Sequence, residues 1–368
     1  MYTQHELDEA VAAGALSAES ATSLRNFMEG QRSSPAVDEE QFRLITGFND
    51  IFVSIAAVIL LVAVGWIGQW VGQATGTTIE ADGPSFLAPL PVAIVAWGLA
   101  LFFTARRRMA LPSIVLLLAF VGAVFLTVGF LGAYAVGEPP KNQDGLYAGV
   151  VAAIAGAVAA GAAWLHWRRF HVPITVAAGA AAVAAIVVGL LIAIVGDPEQ
   201  YKNAILGVVL VLGIGVFLVA MRWDSSDPAR VTRRADVAFW LHLLAAPMIA
   251  HPIFALLGLT SGRVTVGEGL VVVLLYVLFG LTALAIDRRA LLVSALAYVL
   301  FALNELFKQF GAIELNVALT ALIIGSSLLL LSAFWHQARE AVVKPLPDSL
   351  RAKLPVVDRS AVASPRSA

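Results

Sequence analysis

The chain contains no cysteine among its 368 residues. Disulfides, thiolate metal sites and cysteine nucleophiles are therefore excluded, and redox chemistry through the protein's own side chains is not expected. Charged residues are also scarce, at 13%, whereas 60% of the residues are hydrophobic and the mean hydropathy is +0.85. A soluble globular domain contains about 25% charged residues. The composition therefore predicts an integral membrane protein.

Several sequence motifs are also missing. The first forty residues hold no apolar run of the kind found in a signal peptide, so we expect the first membrane span to act as the insertion signal. There is no G-x-S-x-G elbow, no H-E-x-x-H and no phosphate-binding G-x-x-x-x-G-K, so no enzymatic activity is expected. No two histidines lie three or four residues apart within a span, which disfavours a metal site. Neither a cofactor nor a nucleic-acid partner is expected.

Apolar segments long enough for a bilayer-spanning helix, which needs about 20 residues, recur along the chain. We predict an all-α integral membrane protein with about ten transmembrane helices. Their predicted positions are 49–70, 87–105, 110–135, 146–167, 172–195, 203–222, 237–259, 267–287, 290–310 and 314–335.

The basic residues divide unequally between the two sides of this ten-helix arrangement. With the N-terminus inside, 20 of the 24 Lys and Arg residues fall on the cytosolic side. The outer side holds only Lys141, Lys202, Arg263 and Lys308. Because cytosolic loops of membrane proteins are enriched in Lys and Arg, both termini are predicted to lie in the cytosol.

Basic turns recur at similar intervals. Arg107, Arg169, Arg234 and Arg289 are separated by 62, 65 and 55 residues, and each lies between an incoming and an outgoing helix. The spacing predicts two-helix repeats, which keep one orientation, and argues against two inverted five-helix halves.

Spans four and five consist mainly of small residues. Gly145 and Gly149 form a small-xxx-small pair, so we expect these spans to pack closely against each other or against a second subunit.

The segments outside the spans are short. Residues 1–30 predict a cytosolic helical hairpin, in which Gly14 ends one helix and Ser17 caps the next. Residues 31–48 form a linker and membrane entry, residues 49–336 the membrane domain, and the proline-containing residues 337–368 a predicted disordered cytosolic tail.

The stretch LDEAVAAGALSAESATSLRNFM, followed by a linker and serial hydrophobic spans, resembles an uncharacterised family of bacterial inner-membrane proteins known only as a domain of unknown function. The resemblance covers about the first fifty residues and the general layout beyond them. It implies a location in the bacterial inner (cytoplasmic) membrane and no assigned chemistry.

Span seven contains polar features that a plain anchoring span does not need. His251 precedes Pro252 and follows Pro247 by one helical turn, so the prolines predict a kink there. At about 1.5 Å per residue, His251 lies about 21 Å along span seven, and Asn304 and Glu305 lie at a similar depth along span nine. Ionisable groups within a membrane are costly unless paired or hydrated. We therefore interpret His251, Asn304 and Glu305 as a candidate polar site for a substrate or a proton.

Lys308 follows Glu305 by three residues on the same helical face, and it either joins this site or carries Glu305 to the outer surface. On the structural interpretation, Asn304 only bonds to a neighbouring backbone. His242 is predicted to face away from His251 as an ordinary packed histidine, and Asp287 is predicted to be an interfacial polar residue beside Arg288.

Two functions fit the sequence. The favoured hypothesis is a transporter or permease-like protein for a small molecule or a lipid. The alternative is a non-catalytic membrane scaffold or sensor that binds a partner protein, or a second copy of itself, through residues 1–30. The lipid bilayer is an expected partner, and anionic lipid is a further one at Arg168 and Arg169.

Overall fold

The computed structural model describes residues 10–24, 48–227, 230, 232–259, 265–289, 291–296, 298–300, 316–351 and 354–355. Within these ranges the chain is helical apart from turns, loops and an isolated bridge between Thr78 and Ser85, in agreement with the predicted all-α class. The helices of the membrane domain are α1 (Phe48–Thr75), α2 (Pro89–Phe103), α3 (Ala110–Val136), α4 (Asp144–Phe170), α5 (Ile174–Val195), α6 (Lys202–Ser225), α7 (Arg233–Leu256), α8 (Val266–Ile286), α9 (Leu291–Leu300), α10 (Asn316–Ala333), α11 (Trp335–Val343) and α12 (Asp348–Arg351).

Seven of these helices, α1 and α3 to α8, are long and apolar enough to cross a membrane. They coincide with seven of the predicted spans, and the chain is a multi-pass membrane protein by the length and composition of its helices. Shorter apolar helical stretches of 10–17 residues lie where spans two, nine and ten are predicted, namely Pro89–Phe103, Leu291–Leu300 and Leu322–Ala333. The total of ten spans and the two-helix repeats remain predictions.

The outer faces of the long helices are apolar. On α1, for example, Phe48 is 82% exposed, Trp66 77% and Trp70 68%. Extended exposed apolar surface is typical of a face that contacts lipid.

Helices α4 and α5 pack backbone against backbone. A Cβ atom added at Gly145 would lie 1.6 Å from the Gly196 carbonyl oxygen, and one added at Gly149 would lie 2.3 Å from the Ala193 nitrogen. Only glycine permits so close an approach, which is the packing that small residues give in membrane helix pairs. The structure confirms that these two spans pack against each other.

Helices α6 and α7 form a second close pair, in which a Cβ at Gly213 would lie 2.8 Å from the Met248 Cβ. On its other side α7 contributes Ala250 and Phe254 to an apolar core shared with α8, α9 and α10. The helix is continuous through Pro247 and Pro252, and the kink expected at these prolines remains a prediction.

A glutamine side chain holds the loop between α1 and α2. Gln69 Nε2 donates to the Gly83 carbonyl oxygen at 2.9 Å, and Gln69 Oε1 accepts from the Ser85 amide at 2.9 Å. This side chain thus satisfies two backbone groups of a loop that has little regular structure of its own.

Replacing Gln69 with leucine should increase the hydrogen-exchange rate of the Ser85 amide about fivefold, because one such hydrogen bond contributes about 1 kcal/mol. Exchange measured by mass spectrometry on the detergent-solubilised protein tests this. Gln73→Leu is the matched control, since Gln73 lies one turn later on α1 and is exposed. Equal exchange in the two variants would show that Gln69 does not hold the loop.

The C-terminal region differs from the predicted disordered tail. Residues 337–343 belong to α11, where Arg339 is 1% exposed and Val343 is 2% exposed. The prolines of the tail, beginning at Pro345, follow this helix instead of interrupting it. An apolar face that includes Trp335 and Val343 therefore stabilises a segment for which composition alone predicts disorder.

The described N-terminal residues belong to a separate compact unit. Residues 10–12 and 18–24 are helical, and between them Gly14 has a positive φ of 68°. Ser17 Oγ accepts from the Ser20 amide at 3.1 Å, which is the capping role expected of Ser17. The remaining parts of the predicted 1–30 hairpin lie outside the described residues.

Candidate functional site

The sequence-predicted polar site is only partly described by the structure. His251 is exposed on α7, and its Nδ1 lies 2.7 Å from the Tyr298 hydroxyl oxygen on α9. Tyr298 in turn stacks on Phe254, with ring centroids 4.2 Å apart. Three residues of the predicted site, namely Asn304, Glu305 and Lys308, lie outside the described residues, so its assembly remains a prediction.

A different polar group is buried between α6 and α7. Asp224 is 1% exposed and lies in the last turn of α6. Its Oδ2 atom is 3.0 Å from Nε2 of His242, which is 0% exposed on α7. Arg288, just beyond the C-terminal end of α8, donates from Nη2 to Asp224 Oδ1 at 2.6 Å and from Nε to Oδ2 at 3.3 Å. One carboxylate thus joins three helices.

The turn between α6 and α7 explains how these side chains meet. Asp227 Oδ2 accepts from the Thr232 amide at 2.8 Å and from the Thr232 hydroxyl at 2.7 Å. Thr232 is also the N-cap of α7, where its hydroxyl accepts from the Arg234 amide. The turn therefore starts α7 beside the end of α6, and the close contact at Gly213 keeps the two helices together as far as His242 and beyond.

A second group of buried polar side chains surrounds the carboxylate of Asp287. This carboxylate accepts from Arg230 Nη1 at 2.8 Å and from the indole nitrogen of Trp335 at 2.9 Å. Arg339 lies close, with Nε at 3.8 Å from Asp287 Oδ1, and its Nη2 donates to the Pro355 carbonyl oxygen at 2.6 Å. Asp287 therefore connects the end of α8 to the turn before α7, to α11 and to the segment after α12.

We call the two groups, together with Asp227 in the turn between α6 and α7, the buried ionic cluster. It contains three aspartates and three arginines, so its formal charges balance when His242 is neutral: Asp224, Asp227, Asp287, Arg230, Arg288 and Arg339. Buried charges are retained in proteins when they are paired and hydrogen-bonded in this way.

His242 has a special position in the cluster. Asp224 is paired with a guanidinium, so its carboxylate accepts and His242 Nε2 donates. The other ring nitrogen, Nδ1, has no hydrogen-bond partner in the described part of the chain, and the ring packs edge-on against Phe217. Nδ1 is therefore the ring position left for a second proton, and an N–H there would be buried without an acceptor among the described residues.

The carboxylates of the cluster are bound to donors of the protein itself. Within the described ranges no group of three His, Asp or Glu side chains is close enough together to hold a metal ion. In the cluster each carboxylate accepts from guanidinium, indole, hydroxyl or amide donors, which occupy the positions a cation would need.

Sequence reasoning did not find this cluster. It treated His242 as ordinary packing and Asp287 with Arg288 as interfacial, whereas Asp287 is 2% exposed and Arg288 is 4% exposed. The sequence did contain a signal for these ion pairs. The basic turns at 106–108 and 168–169 contain no acidic residue, whereas the segments 222–236 and 287–289 together contain four aspartates. Aspartates within otherwise basic turns mark charges that have partners.

Comparisons with known proteins identified no relative of this chain. No protein-family model, curated protein or solved structure matches the chain.

Proposed function

We propose that this multi-pass membrane protein is a transporter or permease-like protein for a small molecule or a lipid, and that the polar site includes Asp224, His242 and Arg288. The observation that carries the proposal is the bond between Asp224 and His242, both buried in helices long enough to cross a membrane. Ionisable side chains within membrane helices are costly and are typical of substrate and proton pathways.

A purely structural role explains the cluster less well. Well-packed apolar side chains of similar volume hold helices together as well as a buried ion pair, or better. Asp224, His242 and Arg288 therefore provide something that apolar packing does not. Protonating His242 would change the summed charge of these three groups from 0 to +1, and the added cation would compete with Arg288 for the carboxylate.

Two further charged groups lie at the start of α7. Arg230 lies in the turn before α7, and Asp236 lies in the first turn of α7. On this proposal, a charge gained at His242 acts through space on Arg230, and Arg230 is paired with Asp287, which also accepts from Trp335 of α11. Protonation of His242 would in this way be coupled to a movement of helices, which transport requires.

An apolar cavity supports the substrate class. A space of about 430 Å³ lies between α3 and α4, within the size range of ligand pockets. Its walls include Phe125, Phe130 and Val151, with Tyr147 among the few polar side chains. Such a lining suits a lipid chain or another largely apolar molecule.

As part of this proposal, both termini lie in the cytosol, as the positive-inside pattern predicts, and the membrane is the bacterial inner membrane that the sequence resemblance implies. The buried ionic cluster then lies at the cytosolic ends of the helices. Arg168 and Arg169, whose guanidinium carbons lie 5.1 Å from the Trp164 ring and 5.5 Å from the Phe170 ring, are proposed to contact anionic lipid at the same level.

Proteoliposomes test the transporter function. The purified protein is reconstituted with a pH-sensitive dye inside, a proton gradient is imposed, and small molecules and fatty acids are added one at a time. We expect at least one compound class to accelerate proton entry, and His242→Gln to reduce the rate to that of protein-free liposomes. His171→Gln is the control, because His171 is exposed just after α4, belongs to neither candidate site and should leave the rate unchanged. A His242→Gln rate equal to the wild-type rate would contradict the proposed site.

The scaffold or sensor alternative has one observation in its favour, which is that residues 10–24 belong to a compact unit separate from the membrane domain. Deleting residues 1–30 separates the two functions. A transporter that relies on the cluster retains its flux after this deletion, whereas a scaffold loses its protein partner.

A further inference from the structure

The cavity between α3 and α4 has one charged end and one apolar end. Its lining residues on α4 run from Asp144 to Ala155, a distance of about 16 Å along the helix, and those on α3 run back from Val136 to Phe125. Asp144 and Val136 lie beside the loop that joins the two helices, whereas Ala155 and Phe125 lie well within them. A molecule that fills this cavity must therefore be apolar over most of its length and polar at one end.

The charge at the loop end is negative. Asp144, exposed in the first turn of α4, is the only charged residue among the described residues that line the cavity. Within the described part of the chain, its carboxylate has no ion pair or hydrogen bond. The nearest basic residue in the sequence, Lys141, is exposed in the same loop and lines no part of the cavity. The carboxylate is therefore available to a cation that enters the cavity.

Aromatic side chains add to this preference for a cation. The rings of Phe125, Phe130 and Tyr147 line the cavity, and Tyr147 follows Asp144 by three residues on the same face of α4. Aromatic rings attract cations and also pack well against apolar groups. An apolar anion would gain the apolar contacts but would be repelled by the carboxylate.

We propose that this cavity binds a hydrophobic cation, which is an apolar molecule with one positive charge, and that the charge lies at Asp144. The volume of about 430 Å³ accommodates a molecule of drug size. An acyl chain of a lipid needs only the apolar walls, whereas a hydrophobic cation uses both the walls and the carboxylate. As the substrate class of the transporter, this cation rests on the proposed function, but its binding rests on the cavity and its charge alone.

Equilibrium dialysis of the detergent-solubilised full-length protein tests the site with two probes of nearly equal shape and opposite charge, tetraphenylphosphonium and tetraphenylborate. We expect saturable binding of the phosphonium, and Asp144→Asn should weaken it about tenfold, a difference of about 1.4 kcal/mol. The same substitution should not weaken tetraphenylborate binding. Glu138→Gln is the matched control, because Glu138 is an exposed carboxylate of the same loop that lines no part of the cavity.

A second variant tests the apolar part of the cavity. Gly129 lines the cavity, and a Cβ added there meets nothing within 4 Å, so Gly129→Leu can place its side chain in the cavity without a clash. It should weaken phosphonium binding about tenfold or more. Gly122→Leu is its control, because Gly122 lies on the same helix, has equal space around an added Cβ and lines no part of the cavity.

Three results would overturn the proposal. They are the absence of saturable phosphonium binding, wild-type phosphonium affinity in Asp144→Asn, and an equal loss of affinity in Glu138→Gln. Equal binding of both probes, unchanged by Asp144→Asn, would make a lipid acyl chain the occupant. Because dialysis measures binding without flux, a protein that binds the phosphonium but moves no protons would contradict the proposed function and leave this site intact.

Discussion

Replacing Asp224 with alanine should destabilise the membrane domain by about 3 to 5 kcal/mol, the usual cost of removing one partner from a buried charge pair. Asp224 accepts from both His242 and Arg288, and these side chains are 0% and 4% exposed. Without the carboxylate, the Arg288 guanidinium keeps its bond to the Ala235 carbonyl oxygen and its position 5.8 Å from the Phe239 ring centroid, and neither contact neutralises its charge. A charge left in this way in an apolar surrounding has no water to compensate it.

Thermal unfolding of the detergent-solubilised protein, followed by intrinsic fluorescence, measures the effect of this substitution. Asp82→Asn is a suitable control, because Asp82 is an exposed carboxylate in the loop between α1 and α2 and should leave the unfolding temperature unchanged. If Asp224→Ala unfolds at the wild-type temperature, the bonds to Arg288 and His242 do not hold these helices.

The substitution Gly149→Ala should also destabilise the protein strongly, by about 1 to 3 kcal/mol or more, because it overpacks the contact between α4 and α5. The new Cβ would lie 2.3 Å from the Ala193 nitrogen and 2.5 Å from the Gly189 carbonyl oxygen. Both neighbours are backbone atoms, so no side chain can move aside to relieve the clash. The two helices must separate, and the contacts along their whole length weaken.

A second glycine on the same helix provides the control. Nothing lies within 4 Å of a Cβ added at Gly161, so Gly161→Ala should leave stability unchanged or raise it through better helix propensity. The same unfolding assay compares the two variants. Equal unfolding temperatures for Gly149→Ala and Gly161→Ala would contradict the close packing of α4 and α5.

Local sequence patterns predict the parts of this fold that depend on neighbouring residues in the sequence, such as helix length and the faces of a helix. Apolar length predicts the seven long helices, and the pair of small residues at Gly145 and Gly149 predicts the contact with α5. The helical period also places His242 and His251, nine residues apart, on opposite faces of α7, and one is buried while the other is exposed.

The buried ionic cluster depends on partners that are distant in the sequence. Asp224 and Arg288 are 64 residues apart, Arg230 and Asp287 are 57 apart, and Asp287 and Trp335 are 48 apart. No periodicity within a helix connects such pairs. Sequence reasoning therefore found His251, which has two prolines nearby, but not the partners of His242, which become visible only in the folded chain.

The structured C-terminal helix has a similar explanation. The composition of residues 337–368 is polar and contains prolines, which indicates disorder when it is judged alone. The bonds from Trp335 to Asp287 and from Arg339 to the Pro355 carbonyl oxygen supply the order. Both are tertiary contacts, and neither has a signature in the local sequence.

The most direct test of the central claim, that the Asp224, His242 and Arg288 group serves transport, is proton flux through a variant in which all three residues are leucine. Removing all three together leaves no buried charge unpaired within the group, so the protein should unfold at or near the wild-type temperature. We predict that this folded protein gives only the flux of protein-free liposomes with a compound that the wild type transports. Wild-type flux through the same folded protein would contradict the claim and make the group a structural one.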